Sequence, residues 1–151
     1  MEKIIGLDLG TKTLGISISD SLGIVHGYEN FVFPEFYYKK ARERVLEIAS
    51  KENVNKLVLG YPLHMNGEIS ERAKSCLRFK DDLLQDNHNL TIEMIDERLT
   101  TVEANERMIE MNLSSKRRKE IIDMMSAVVI LETYINKLGG QKNDKWWWNY
   151  Y

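Results

Sequence analysis

Three carboxylates have the residue types and spacing to do chemistry in this sequence. Asp8 lies in Gly6-Leu7-Asp8-Leu9-Gly10-Thr11-Lys12-Thr13-Leu14-Gly15, a strand, a tight turn and the start of a second strand. Ile5, Leu7 and Leu9 alternate to one side; Ile4, Gly6 and Asp8 alternate to the other. A carboxylate at the end of a core strand needs a cation, a metal or another partner. Gly6 and Gly10 clear bulk around it, so an ion or ligand can come close. The same residues also fit a hairpin whose Asp accepts turn hydrogen bonds. Asp96-Glu97 closes the last strand. Asp123, in the last helix, shares a line with Ala127, Ile130 and Tyr134 and so heads an apolar stripe. An ion pair with Lys119, one turn earlier, is the alternative role for it. In open α/β sheets ligands gather outside the carboxyl ends of the strands, where Asp8 and Glu97 both fall. Three converging carboxylates repel one another unless a cation joins them. Hard oxygen donors without Cys or His suit Mg²⁺ or Mn²⁺. Such ions activate water and stabilise a transferring phosphoryl group, often as a pair.

A run of cations indicates the substrate. Ser114-Ser115-Lys116-Arg117-Arg118-Lys119 opens the last helix. Four cations in a first turn oppose the helix macrodipole, and a local rule broken without structural gain points to function. A phosphate backbone can bind this turn while a scissile phosphate meets the carboxylates. Arg98 and Lys12 extend the same surface. The alternative is a solvated charge run.

The elements that position these groups follow from periodicity. Residues 3–9, 13–19 and 24–33 read as strands joined by short Gly-containing turns, hence an antiparallel meander. A helix is predicted from Glu35 to about Lys51, a strand at Val54–Tyr61, and a Pro-, Asn- and Gly-containing loop through Gly67. A helix from about Ser70 to Gln85 follows, with Ser70 as N-cap, then a strand at Leu90–Ile95. Thr100-Thr101-Val102-Glu103 reads as a capping box for a helix to about Met111. The last helix is expected to end near Leu138, before Gly139-Gly140. The order β-β-β-α-β-α-β-α-α gives an α/β fold: a mixed sheet with helices on its faces. Residues 1–138 form one domain. Residues 139–151, with Lys145-Trp146-Trp147-Trp148-Asn149-Tyr150-Tyr151, are an aromatic tail expected to be flexible.

Composition bounds the rest. At 151 residues the chain suits one domain with a real core. Its single cysteine, Cys76, excludes an internal disulfide and a thiolate zinc cluster. No apolar run approaches the ~20 residues of a membrane span, and no signal peptide is read at the start. A cytoplasmic protein with no membrane partner is expected. With a formal net charge of −2, nucleic-acid binding has to come from local basic patches.

Gly6-Leu7-Asp8-Leu9-Gly10-Thr11-Lys12, Gly60-Tyr61-Pro62-Leu63-His64-Met65-Asn66-Gly67, Asp96-Glu97-Arg98-Leu99-Thr100-Thr101 and the Lys/Arg run leading to Asp123 resemble the YqgF (RuvX-like) family. Its bacterial members are described as pre-16S rRNA nucleases and as Holliday junction resolvases. The resemblance spans residue 3 to about 137. It implies an RNase H-like mixed five-stranded sheet, an antiparallel three-strand meander plus two parallel strands, with helices on both faces. It implies metal-dependent phosphodiester hydrolysis, with Asp8, Glu97 and Asp123 as catalytic ligands of two Mg²⁺ or Mn²⁺ ions. Thr11, Lys12, Arg98, Lys116, Arg117 and Arg118 are expected to bind substrate, with Asp20 and Asp96 supporting the ligands; His64 is either a helper or, as a lone loop histidine more often is, simply exposed. The expected partner is an rRNA precursor, in 5′-end processing of pre-16S rRNA, or branched DNA, with the chain acting as monomer or homodimer. The family loop usually reads Gly-Leu-Pro-Leu-Asn-Met-Asp-Gly. Tyr61, His64 and Asn66 depart from it, which bears on any contact the usual acid makes.

Two other classes compete. Asp8-x-Gly10-Thr11-x-x-x-Gly15 resembles the first phosphate hairpin of actin–hexokinase-type ATPases, but those need two lobes and this chain has length for one. A non-catalytic nucleic-acid-binding module is the other, and the three carboxylates argue against it.

Overall fold

The computed structural model describes residues 1–63, 66–97 and 115–148; within the last segment it describes side chains at 117 and 121–139. Five strands, β1 (Ile5–Leu9), β2 (Thr13–Ser19), β3 (Val25–Val32), β4 (Lys56–Tyr61) and β5 (Thr91–Asp96), form one sheet in the order β3-β2-β1-β4-β5. β1 pairs antiparallel with β2, and β2 with β3; β1–β4 and β4–β5 pair in parallel. The described helices are α1 (Tyr38–Glu52), α2 (Glu71–Asp86) and α3 (Ser115–Trp148). The mixed sheet read from the sequence is thus the sheet observed.

The two faces of β1 separate two cores. Ile5, Leu7 and Leu9 join Leu14, Ile16, Leu57 and Leu59 under α1 and α2, whose Val45, Ile48, Phe79 and Leu83 complete that cluster. Ile4, Val58 and Ile95 lie on the other face, beneath Ile130, Leu131 and Tyr134 of α3. Burying each such aliphatic side chain stabilises the fold by about 1.5–3 kcal/mol.

The α3 face is floored with small residues, which sets how close the helix comes. A Cβ on Gly15 would overlap the Asp123 carbonyl, and one on Gly6 would lie 2.8 Å from Leu131 Cβ and 2.9 Å from the Ala127 carbonyl oxygen. Ser17 donates 2.7 Å to that same Ala127 carbonyl. The β2–β3 register shifts between Ile16 and Ser17, so that Ile16 faces Glu29 while Ser17 faces Gly27. The bulge returns Gly27 to the α3 face, where Met124 fills the space its Cβ would take.

Several boundaries differ from the sequence reading. α1 begins at Tyr38 rather than Glu35, because residues 34–37 form a turn closed by Tyr37 N–H on the Pro34 carbonyl at 2.8 Å. Ser70 caps α2 as expected, its hydroxyl accepting from Ala73 N–H at 3.0 Å. α3 does not end near Leu138 but continues to Trp148. A glycine costs a helix interior about 1 kcal/mol relative to alanine, which does not stop it unless the chain turns left-handed; the described glycines with positive φ are Gly23 and Gly67. The capping box at Thr100 and its helix to Met111 lie outside the described residues. Among the described residues, no helix is long and apolar enough to cross a membrane.

Candidate active site

Asp8 ends β1 on the α3 face, across from Gly15 in the register. It is only 8% exposed. Burial raises its pKa well above the ordinary carboxylate value, helped next by the Glu97 charge, a hydrogen bond between the two carboxyls, and the Asp123 charge; Arg72 pulls the other way. A hydrogen bond between carboxyls needs a proton on one of them. The site therefore favours a positive species at this point, a proton or a cation.

Glu97 follows β5. Its carboxylate lies where a Cβ on Gly60 would be, so the absence of a side chain at 60 gives it room. Asp123 is brought in by α3, whose backbone rests on Gly15 at this residue. The Thr13 hydroxyl donates a hydrogen bond to Asp123 Oδ2, which orients the carboxylate. The structure thus brings Glu97 and Asp123 into electrostatic reach of Asp8. Their oxygens fit the donor chemistry of Mg²⁺ or Mn²⁺. Among the described residues, no three of His, Cys, Asp and Glu stand as a metal-binding group. Cys76 lies close by, and burial pushes its thiol up to about 12, so it stays protonated and adds no soft ligand.

Arg72 supplies the cation next to Asp8. Ser70 donates to the Pro62 carbonyl at 2.8 Å while capping α2, which pins the helix start to the end of β4. Arg72, two residues on, donates from Nη2 to the Leu9 carbonyl at 3.0 Å and stands 3.9 Å from Asp8 Oδ1. Its side chain is 52% exposed, so part of the guanidinium remains open to an anion.

The predicted substrate residues divide. Thr11 and Lys12 lie in the β1–β2 turn at the site's edge, their carbonyls accepting from Phe36 and Phe33 N–H at 2.7 and 3.0 Å. Lys116, Arg117 and Arg118 fall in the first turn of α3, Arg117 exposed and roughly 9 Å along the axis from Asp123 at 1.5 Å per residue. Arg98 and His64 lie outside the described residues. Asn66 accepts from Glu68 N–H at 3.0 Å, a turn contact that Asn and Asp make equally well.

Two expected supports are corrected. Asp20 is not beside the site: β2 runs antiparallel to β1, so its end returns to Ile4, where Ser19 N–H bonds the Ile4 carbonyl at 2.9 Å. There Asp20 binds Leu22 and Ile24 N–H and His26. Asp96 pairs in register with Tyr61, whose ring packs on the α1–α2 core. Strand alternation therefore directs Asp96 to the opposite face from Glu97.

A family model described as RuvX, Holliday junction resolvase, matches residues 2–137. The chain belongs to the RuvX family. A protein of Geobacillus sp. (strain WCH70) provisionally named a pre-16S rRNA nuclease is 40% identical over 135 residues, 89% of this chain and 97% of the relative. T. thermophilus RuvC in complex with a Holliday junction substrate is similar in structure, with TM-score 0.61 at 12% identity over 92% of this chain and 97% of that one. Fowlpox virus resolvase, bound to substrate Holliday junction DNA, gives 0.56 at 13% identity over 90% and 98%. At these identities the structures speak for the RNase H-like fold alone. As a RuvX-family member the chain is a nuclease, a hydrolase of phosphodiester bonds.

Two residues of this RuvX-family site escaped the sequence reading. Arg72 carried a signal, a cation in the first turn of a helix against the macrodipole, the same rule that singled out Lys116 to Lys119. Thr13 carried only its strand parity, which puts it on the face of Asp8 across the hairpin. Thr13→Val keeps the shape and removes the donor to Asp123. Cleavage is expected to fall about ten- to hundredfold, the scale for loss of a partner that orients a site carboxylate, measured as kcat.

Proposed function

We propose that the chain is a divalent-metal-dependent endonuclease acting in 5′-end processing of pre-16S rRNA in the cytoplasm. The observation that carries this reading is the buried Asp8, held above its ordinary pKa by burial, Glu97 and Asp123 at the carboxyl end of the central strand. Asp8, Glu97 and Asp123 would hold Mg²⁺ or Mn²⁺, most simply two ions. Bound there, such ions lower the pKa of water and stabilise the leaving oxygen of an in-line displacement. Thr13 holds Asp123 in orientation. Arg72 binds a non-bridging phosphate oxygen through the guanidinium edge that Leu9 leaves open. Lys12 and the basic first turn of α3, with Arg98, grip the flanking backbone. Arg72→Met is expected to raise KM and to lower the log–log salt slope of binding by about one phosphate contact.

The family model's description favours a second reading, resolution of Holliday junctions. One experiment separates the readings. The purified chain is incubated with Mg²⁺ or Mn²⁺ and either an RNA spanning the 5′ end of the small-subunit rRNA precursor or a four-way DNA junction. Site-specific RNA cleavage that is lost in Asp8→Asn supports the processing nuclease. Paired symmetrical junction cuts support the resolvase. Binding of both without cleavage of either points to a non-catalytic module.

A further inference from the structure

Residues 34–38 join β3 to α1 at the same end of the sheet as Asp8, and their backbone is unusual. Phe36 has φ 63°, the left-handed region, where a bulky side chain is an outlier. It is the third residue of the turn closed by Tyr37 N–H on Pro34, a position where positive φ calls for Gly or Asn. Tyr37, at φ −86° and ψ 65°, is the centre of an inverse γ-turn closed by Tyr38 N–H on the Phe36 carbonyl at 3.0 Å. Phe36 N–H is tied to the Thr11 carbonyl in the β1–β2 turn. Two hydrogen-bonded turns and a tether therefore hold this short segment rigid.

Two of the rings it carries, those of Phe36 and Tyr37, do not contribute to the core. Phe36 is 63% exposed and Tyr37 49%, while the adjacent Phe33 and Tyr38 rings pack on each other in the core. Scattered exposed aromatics need no explanation. An exposed phenylalanine in a conformation that favours glycine does, because neither burial nor backbone preference accounts for it. Its surroundings supply the account. Exposed Val32 pairs in register with Thr13, which holds Asp123, and exposed Lys12 lies in the turn that tethers Phe36. β3 is two strand spacings from β1, roughly 10 Å. A nucleic-acid strand lying across Asp8 and Lys12 would reach these rings a short way along its length.

We infer that Phe36 and Tyr37 form a stacking platform for an unpaired nucleobase of the substrate strand, beside the phosphate-binding β1–β2 turn. The platform rests on the nuclease reading for its strand but not on hydrolysis itself. Stacking on an aromatic ring is available only where a base is free of its own stack, and a rigid ring pays little ordering entropy. The shared chemistry is an exposed base. A single-stranded RNA flank and the exchange point of a DNA branch both offer one.

The test uses full-length protein and oligonucleotides carrying 2-aminopurine near the cleavage position. One is an RNA with a single-stranded flank, one a four-way DNA junction, and one a fully paired duplex. Wild type is expected to quench the fluorophore in one of the first two, which names the source of the base, and not in the duplex. Phe36→Gly suits the left-handed backbone, so the fold survives while the ring is lost. It should abolish the quenching and weaken binding of that substrate about ten- to hundredfold, with duplex affinity moved far less; Phe36→Trp should restore both. Unaltered quenching and affinity in Phe36→Gly, or an equal loss on the paired duplex, overturns the platform. Phe36-dependent quenching in a protein that cuts nothing supports the platform and counts against the hydrolytic reading alone.

Discussion

Asp8→Asn is expected to lower metal-dependent cleavage at least about a thousandfold while leaving the fold intact, the scale seen when a group at the reacting centre is removed. Its second effect is on stability and has a definite sign. Asp8 keeps its proton more tightly in the folded chain than in the unfolded one, where it titrates near the ordinary value of 3.8. In chelator, raising the pH above that value strips the unfolded chain first, so Asp8's contribution to stability falls until the folded pKa is passed. Asparagine cannot ionise and keeps a similar shape. The variant should therefore melt above wild type in EDTA at neutral pH, and the gap should close near pH 4. Mg²⁺ should reverse the order by binding the ionised wild-type site in the folded state only. A variant that melts below wild type at neutral pH in chelator would mean that Asp8 acts chiefly as the structural partner of Arg72.

Gly15→Ala should be the most destabilising small substitution in the sheet. A Cβ there would overlap the carbonyl of Asp123 and stand 2.8 Å from the Met124 nitrogen, all backbone, so the whole helix has to retreat. Overpacking against backbone is expected to cost at least about 3 kcal/mol. That lowers the melting temperature by roughly 10 °C for a chain of this size. Activity should fall with it, because Asp123 moves with α3. Gly139→Ala is the matched control: nothing lies within 4 Å of its added Cβ, and helix propensity alone should stabilise by up to about 1 kcal/mol. Thermal melts of the two variants beside wild type measure both effects. Similar melting temperatures for Gly15→Ala and wild type would mean that α3 does not seat on the sheet at Gly15.

Local periodicity determined a large part of this molecule. Ile5, Leu7 and Leu9 against Ile4, Gly6 and Asp8, and Leu14 and Ile16 against Gly15 and Ser17, set strand identity and facing without any distant contact, because a strand alternates every residue. Ser70 announced the start of α2 because its capping oxygen serves a donor three residues away. Asp20 was misplaced beside the ligands, although the antiparallel return that carries its end of β2 away from Asp8 follows from the same meander.

Tertiary structure alone decided how these pieces meet. Thr13 and Asp123 are 110 residues apart in sequence, as are Ser17 and Ala127. Arg72 lies 63 residues from the Leu9 carbonyl that holds it. No window of sequence contains both members of such a pair; the first two distances follow from how closely α3 settles on Gly6 and Gly15, the third from the pinning of the α2 start to Pro62. The exposure of Phe36 in a left-handed turn is of the same kind. Nothing in its type marks it, and only the packing of Phe33 and Tyr38 into the core, with the tether to Thr11, leaves its ring facing out.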